Sequence, residues 1–386
     1  MKDYLDTAIR QHIRRGEHLN GSIPRPNDLP QEFHRLLQEC QNQLSNIMGE
    51  FNTLRRDIQT QKRENQREHL RRFRRAVAQL ELIESTCVAA LTRHGKNDRF
   101  LCKLVEQISK EINYPLLTPI VSSLSQRYFH IYPFLNLLFV PLEESAFLLH
   151  LPDLYHELGH PLVTARFNPH VKPFQLALSQ VIIMALDHIE HDKQRAARSR
   201  GPQNIKNYIR LWEESWVDWC VEFFCDLFAI YTLGPAFAWS HIYLCAKSNE
   251  SPFRVPAVSV LSHPADNARM HVMLYGLRLI NFEAEAGRIE ARWNRLLMTS
   301  GSTTTAEYQR CFPEDILEMI AIRAYEGVVG TDLAVVSPEN ENIVAGFLNE
   351  AWDEFWSHPQ TYPQWEEQVV SKLRSEIMDG IRGNRG

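Results

Sequence analysis

The stretch Phe147-Leu148-Leu149-His150-Leu151-Pro152-Asp153-Leu154-Tyr155-His156-Glu157-Leu158-Gly159-His160 decides how the rest of this sequence is read. Its first half is apolar, and Pro152 suits the first turn of a helix, where a missing N–H costs nothing. A buried helix over residues 151–165 is therefore expected. On such a helix positions i and i+4 share a face, so His156 and His160 aim two imidazoles at one point with Glu157 beside them. Zn2+ suits that pair. A catalytic zinc keeps three protein ligands and one open position, where water has its pKa lowered toward about 7 and a carboxylate such as Glu157 serves as general base. Gly159, having no side chain, permits another segment to approach the helix closely beside the metal.

A third ligand is sought downstream, in Glu213-Glu214-Ser215-Trp216-Val217-Asp218-Trp219-Cys220-Val221-Glu222-Phe223-Phe224-Cys225-Asp226. Acids at 214, 218, 222 and 226 recur at steps of four and form one stripe on a helix otherwise dense in Trp, Phe, Val and Cys. Two readings are open. The stripe is either the solvent face of an amphipathic helix, or a set of carboxylates whose burial requires a metal or a cation.

His156-Glu157-Leu158-Gly159-His160, followed 62 residues later by Glu222-Phe223-Phe224-Cys225-Asp226, resembles the HExxH…ExxxD arrangement of gluzincin metallopeptidases. Ser262-His263-Pro264-Ala265-Asp266-Asn267-Ala268-Arg269-Met270 is similar to the Ser/Thr-His-Pro…Arg segment of the CAAX prenyl protease and HtpX branch. The resemblance spans about residues 151–270. It implies a zincin-like catalytic region that hydrolyses a protein or peptide substrate, with Glu222 as third zinc ligand. Asp226 would accept a hydrogen bond from a ligand histidine and orient it, a role that metal-bound imidazoles generally require. His263 and Arg269 are implied near the substrate or in structural pairing. The small residue usual before the Asp is here Cys225, and Glu214 with Asp218 offers a competing ExxxD register. Val221, Phe223, Phe224, Leu227 and Phe228 flank Glu222 and favour a buried carboxylate there, whereas Glu213 beside Glu214 suits exposure. Members of that branch are membrane-embedded, so membrane substrates are not carried over. Two further readings use the same residues: a partner-binding module whose zinc only fixes the fold, and a metal-dependent hydrolase of a non-peptide amide.

The chain has 386 residues, 44% of them hydrophobic, and a formal net charge of −5. That composition fits one or two globular domains and gives no whole-chain attraction to nucleic acid. Apolar runs near residues 131–140 and 147–151 are interrupted by Pro133, Pro141, Glu143 and Glu144, well short of the roughly 20 residues a membrane span needs. Seven scattered cysteines without a CxxC pair predict reduced thiols and a cytoplasmic setting. The N-terminus carries charges throughout and lacks the apolar core of a secretory signal.

The expected fold is mainly α: an N-terminal helical or coiled-coil, Arg-rich region over residues 1–112, a catalytic region with a small β-sheet over 113–290, and a C-terminal helical extension over 291–386. Phe33, Leu36, Leu37, Cys40 and Leu44 have helical spacing. From Arg55 to Arg75, nine basic residues face three acids with little apolar surface, which reads as the solvated face of a helical hairpin. Docking of an acidic partner or nucleic acid is the alternative there. Short strands such as 136–140 are expected among Pro115, Pro119 and Pro133. Helices are expected over 173–197, 205–233, 264–290, 313–325 and 342–356, with a loop at Ser199, Gly201 and Pro202 and a frayed tail from Gly380. His188 and His191 read as an exposed helix end, and Cys220, Cys225, Trp212, Trp216 and Trp219 as core.

Overall fold

The computed structural model describes residues 2–60, 66–125, 128–165, 167–198 and 203–379. The centre of the basic stretch (61–65), the loop at Ser199, Gly201 and Pro202, and the tail 380–386 lie outside these. The chain is mainly α-helical, with one small three-stranded sheet among the described residues. No helix among the described residues is long and apolar enough to cross a membrane. All seven cysteines are free thiols.

The chain divides into two compact units, residues 1–103 with 119–142, and residues 104–118 with 143–386. In the first unit, helix Lys2–Ser22 packs on His34–Thr60, which packs on Gln66–Ile83. Leu36, Leu37, Cys40, Leu44, Ile47, Phe51, Leu54 and Ile58 line the buried face of the second helix at the three-to-four spacing the sequence shows. Several arginines of the basic stretch are engaged inside this unit: Arg55 pairs with Asp6 at 2.9 Å and Arg72 with Asp57 at 2.7 Å.

The sheet consists of β1 (Ile120–Ser122), β2 (His130–Tyr132) and β3 (Leu137–Phe139), in the order β1-β3-β2. β3 runs parallel to β1 and antiparallel to β2. The sequence assigns this sheet to the catalytic region, whereas in the structure it belongs to the unit of the N-terminal helices. The cause is local. Cys102 Sγ accepts the Val121 N–H at 3.2 Å, and Asp98 accepts the N–H and the hydroxyl of Ser123, so the sheet is tied to residues 98–102.

The second unit is built around helix Gln203–Leu233, against which pack Asp153–Thr164, Lys172–Arg198, Asp266–Leu279 and Glu314–Gly330. Trp212, Trp216, Trp219, Cys220, Cys225 and Phe228 are buried along it, as expected. The helix expected over 264–290 is two helices, Asp266–Leu279 and Glu283–Ser300, because Asn281 takes a left-handed φ of 68°. Phe282 N–H then donates to Leu277 O, the bond of a Schellman cap. A further helix, Pro235–Lys247, was not foreseen. It is buried over residues 235–242, so it shows no one-sided periodicity.

Candidate metal centre

Helix Asp153–Thr164 is buried from Asp153 through Gly159, which is what an apolar lead-in to HExxH requires. A methyl group on Gly159 would lie 2.9 Å from Cys225 Cα, closer than packed atoms tolerate. Glycine therefore lets Gln203–Leu233 run against the motif helix, and that approach brings residues 222 and 226 to His156. Tyr114 Oη donates to Leu158 O at 2.8 Å on the motif helix. Phe237 stacks on the His156 ring with centroids 5.8 Å apart.

His156, Glu157 and His160 present ligand atoms that lie within 4.8 Å of one another. His156 Nδ1 donates to Asp226 Oδ1 at 2.8 Å, which leaves Nε2 as the atom facing the site. His160 Nδ1 lies 3.5 Å from Cys225 Sγ. Glu222 Oε2 is 3.5 Å from His156 Nε2 and 3.6 Å from His263 Nε2. Neither approach is a hydrogen bond, and this buried oxygen has no hydrogen-bond partner among the described residues. Arg269 forks onto Asp226, Nε to Oδ2 at 2.7 Å and Nη2 to Oδ1 at 2.6 Å. A chain of charge thus runs from Arg269 through Asp226 to His156 and Glu222.

Burial opposes ionisation at each of these groups, and the partners decide the outcome. Asp226 is fully buried; burial pushes its carboxyl up, but the Arg269 fork and His156 hold it well below the ordinary carboxylate range. For Glu222 burial again pushes up, and the His156 contact prevails, bringing it down to about 2. His156 is pushed down by burial and held up by Asp226 and Glu222, at about 10. His160 has no such anchor, so burial and the charge of His156 lower it to about 4.

No family model, curated protein or solved structure matches this chain. Its chemistry is read from its own geometry.

The structure brings His156, Glu157, His160, Glu222, Asp226, His263 and Arg269 into one neighbourhood. Glu214 and Asp218 are exposed, while Glu222 and Asp226 turn inward, so the stripe of four acids is half solvent face and half site. Of the two roles left open for Arg269, pairing is the one its geometry serves. His263 remains 63% exposed at the rim. His191 is exposed as expected, but His188 is half-buried and its Nε2 has no hydrogen-bond partner among the described residues. Cys225 does more than fill core, since it meets both Gly159 and His160. Tyr114 and Phe237 were missed because nothing in their own segments marks them. A second group, His241, Cys245 and Asp266, was missed with the helix that carries its first two members.

Proposed function

We propose that this chain is a zinc-dependent metallopeptidase of the gluzincin kind, with His156, His160 and Glu222 holding the metal and Glu157 as general base. The observation that carries the reading is the Glu222 carboxylate. A buried carboxylate oxygen whose nearest nitrogens stand off at 3.5 and 3.6 Å is poorly satisfied, and a cation drawn in between it and the imidazoles removes that cost. The donor set of two nitrogens and one oxygen is one that zinc takes when it keeps a position open.

Zinc at this site supplies a Lewis acid that polarises a peptide carbonyl and acidifies water. Glu157 takes a proton from the attacking water and returns it to the leaving amine nitrogen. His263, exposed at the rim beside Glu222, donates to the carbonyl oxygen as it gains charge. Asp226 keeps the His156 proton on Nδ1, and Arg269 holds Asp226 in place; both are positioning residues.

Zinc content and hydrolysis of a mixed peptide library by the full chain test this reading. Glu157→Gln is expected to keep zinc and fold while lowering hydrolysis by about 10²-fold or more. Glu222→Ala should strip the zinc held at His156, Asp226→Asn should weaken that binding by about 10–100-fold, and Glu214→Ala should do little. Full hydrolysis by zinc-loaded Glu157→Gln, or zinc retained by Glu222→Ala and lost by Glu214→Ala, overturns it. One observation favours a second reading, a structural zinc with His263 as fourth ligand: His263 Nε2 lies 3.6 Å from Glu222 Oε2. X-ray absorption on zinc-loaded His263→Ala separates them, because only a closed site loses a nitrogen ligand.

A further inference from the structure

We propose that His241, Cys245 and Asp266 form a second metal site, for a zinc-like divalent ion, that ties together the two ends of the loop bearing His263. His241 and Cys245 are four residues apart on helix Pro235–Lys247, hence on one face, and Asp266 opens helix Asp266–Leu279. Their ligand atoms lie within 4.8 Å of one another.

A thiol, an imidazole and a carboxylate also compose a nucleophile relay, and the geometry separates the two uses. In a relay the carboxylate holds one ring nitrogen while the nucleophile uses the other. Here both converge on Nε2 of His241: Cys245 Sγ at 3.5 Å, Asp266 Oδ1 at 3.8 Å, and Asp266 backbone O at 3.3 Å. A ring nitrogen offers one proton or one lone pair and cannot serve three groups at once, so three donors gathered around Nε2 suit a cation rather than a relay. His241 is buried and fixed, whereas Cys245 and Asp266 are half-buried, so an ion can enter from the surface. Arg269 is a cation whose charge reaches His241, and that charge is already matched by Asp226.

The donor set selects the metal class. A thiolate beside an imidazole favours zinc and its neighbours over magnesium or calcium, and three protein ligands leave water as the fourth. On binding, the Cys245 proton passes to solvent. The ion would cross-link helices that flank residues 248–265, the loop that sets His263 beside Glu222. It is independent of the metal proposed at His156.

Cobalt(II) titration of the metal-stripped full chain tests the site, because a thiolate ligand gives a near-ultraviolet charge-transfer band that a site without sulfur lacks. We expect about two equivalents bound, one with the band. Cys245→Ser should abolish the band and one equivalent, and Asp266→Asn, which keeps the side-chain shape, should weaken the same equivalent. His156→Ala should remove the other equivalent and leave the band. A wild type without the band, or a band that persists in Cys245→Ser and so comes from another thiol such as Cys225, overturns the proposal. One equivalent with the band intact would instead count against the site at His156.

Discussion

Gly159 shows how narrow the tolerance is around this site at the scale of single residues. Its missing Cβ would meet the backbone of Cys225 as well as its thiol, so shortening Cys225 does not make room. Gly159→Ala is expected to destabilise the fold by about 1–3 kcal/mol and to lower zinc affinity, with Cys225→Ala failing to restore either. Urea unfolding of the single and double variants measures the first and competition with a chelator the second. The two histidines differ in a way that is also measurable. His156, at about 10, holds a second proton at neutral pH when no metal is bound, while His160, at about 4, does not. Zinc uptake at pH 7 by Cys245→Ser, which keeps the His156 site alone, should therefore release about one proton, read from binding enthalpies in buffers of different ionisation heat. Zinc affinity at this site should rise with pH across the neutral range, because His156 must give up that proton to bind. In the metal-free fold the sign is opposite. The His156 pKa is raised above its ordinary 6.5, so its pairing stabilises the fold fully below pH 6.5 and is lost as pH climbs through about 10. The residues of this site were legible to different depths. His156, Glu157 and His160 are read from spacing, and the choice of Glu222 over Glu214 from flanking aromatics. Tyr114 and Phe237 reach the site only because distant segments fold onto it, and local pattern carries no record of that.

At the scale of elements, one-sided periodicity marks helices that have a solvent face and fails where none exists. His34–Thr60 was readable for the first reason, and Pro235–Lys247 was hidden for the second. Its start looks like a break, because Gly234 takes a φ of 95° and Pro235 follows. Asn349 repairs that break by accepting from the Ala236 N–H at 2.8 Å and donating to Leu233 O at 3.0 Å. Asn349→Ala should therefore cost about 1–3 kcal/mol, since the two backbone groups lose their partner. Zinc content at His156 is expected to stay at the wild-type level, which metal analysis of the purified variant checks. The division of 264–290 into two helices rested on Asn281, whose tolerance of the left-handed region is a weak signal in a run that otherwise reads as continuous helix.

At the scale of the whole molecule, the segment after residue 290 reads in the sequence as an extension and packs as core. Phe312 lies against Trp216 and Trp219, with centroids 5.5 and 4.9 Å away. Arg310 pairs with the buried carboxylate of Asp192, and Tyr231 Oη donates to Ala321 O at 2.6 Å. Helix Tyr362–Asp379 holds the lead-in to the motif helix: Leu148 N–H donates to Glu366 Oε1 at 2.7 Å, and Arg374 donates to Ser145 O at 3.0 Å. A chain ended at residue 290 is expected to lose both cooperative unfolding and zinc binding, as followed by circular dichroism and metal analysis. The sequence could not disclose this, because apolar residues state that a helix is buried without stating what covers it.

The Glu366 contact has a consequence for synthesis. The motif helix leaves the ribosome long before the helix that caps its approach, and its histidines wait meanwhile for Asp226, Arg269 and the C-terminal turns. If the site holds zinc as proposed, its metal is therefore secured only after residue 366 has been made and folded back. Ribosome-stalled chains ending before residue 366 should capture less zinc than released ones.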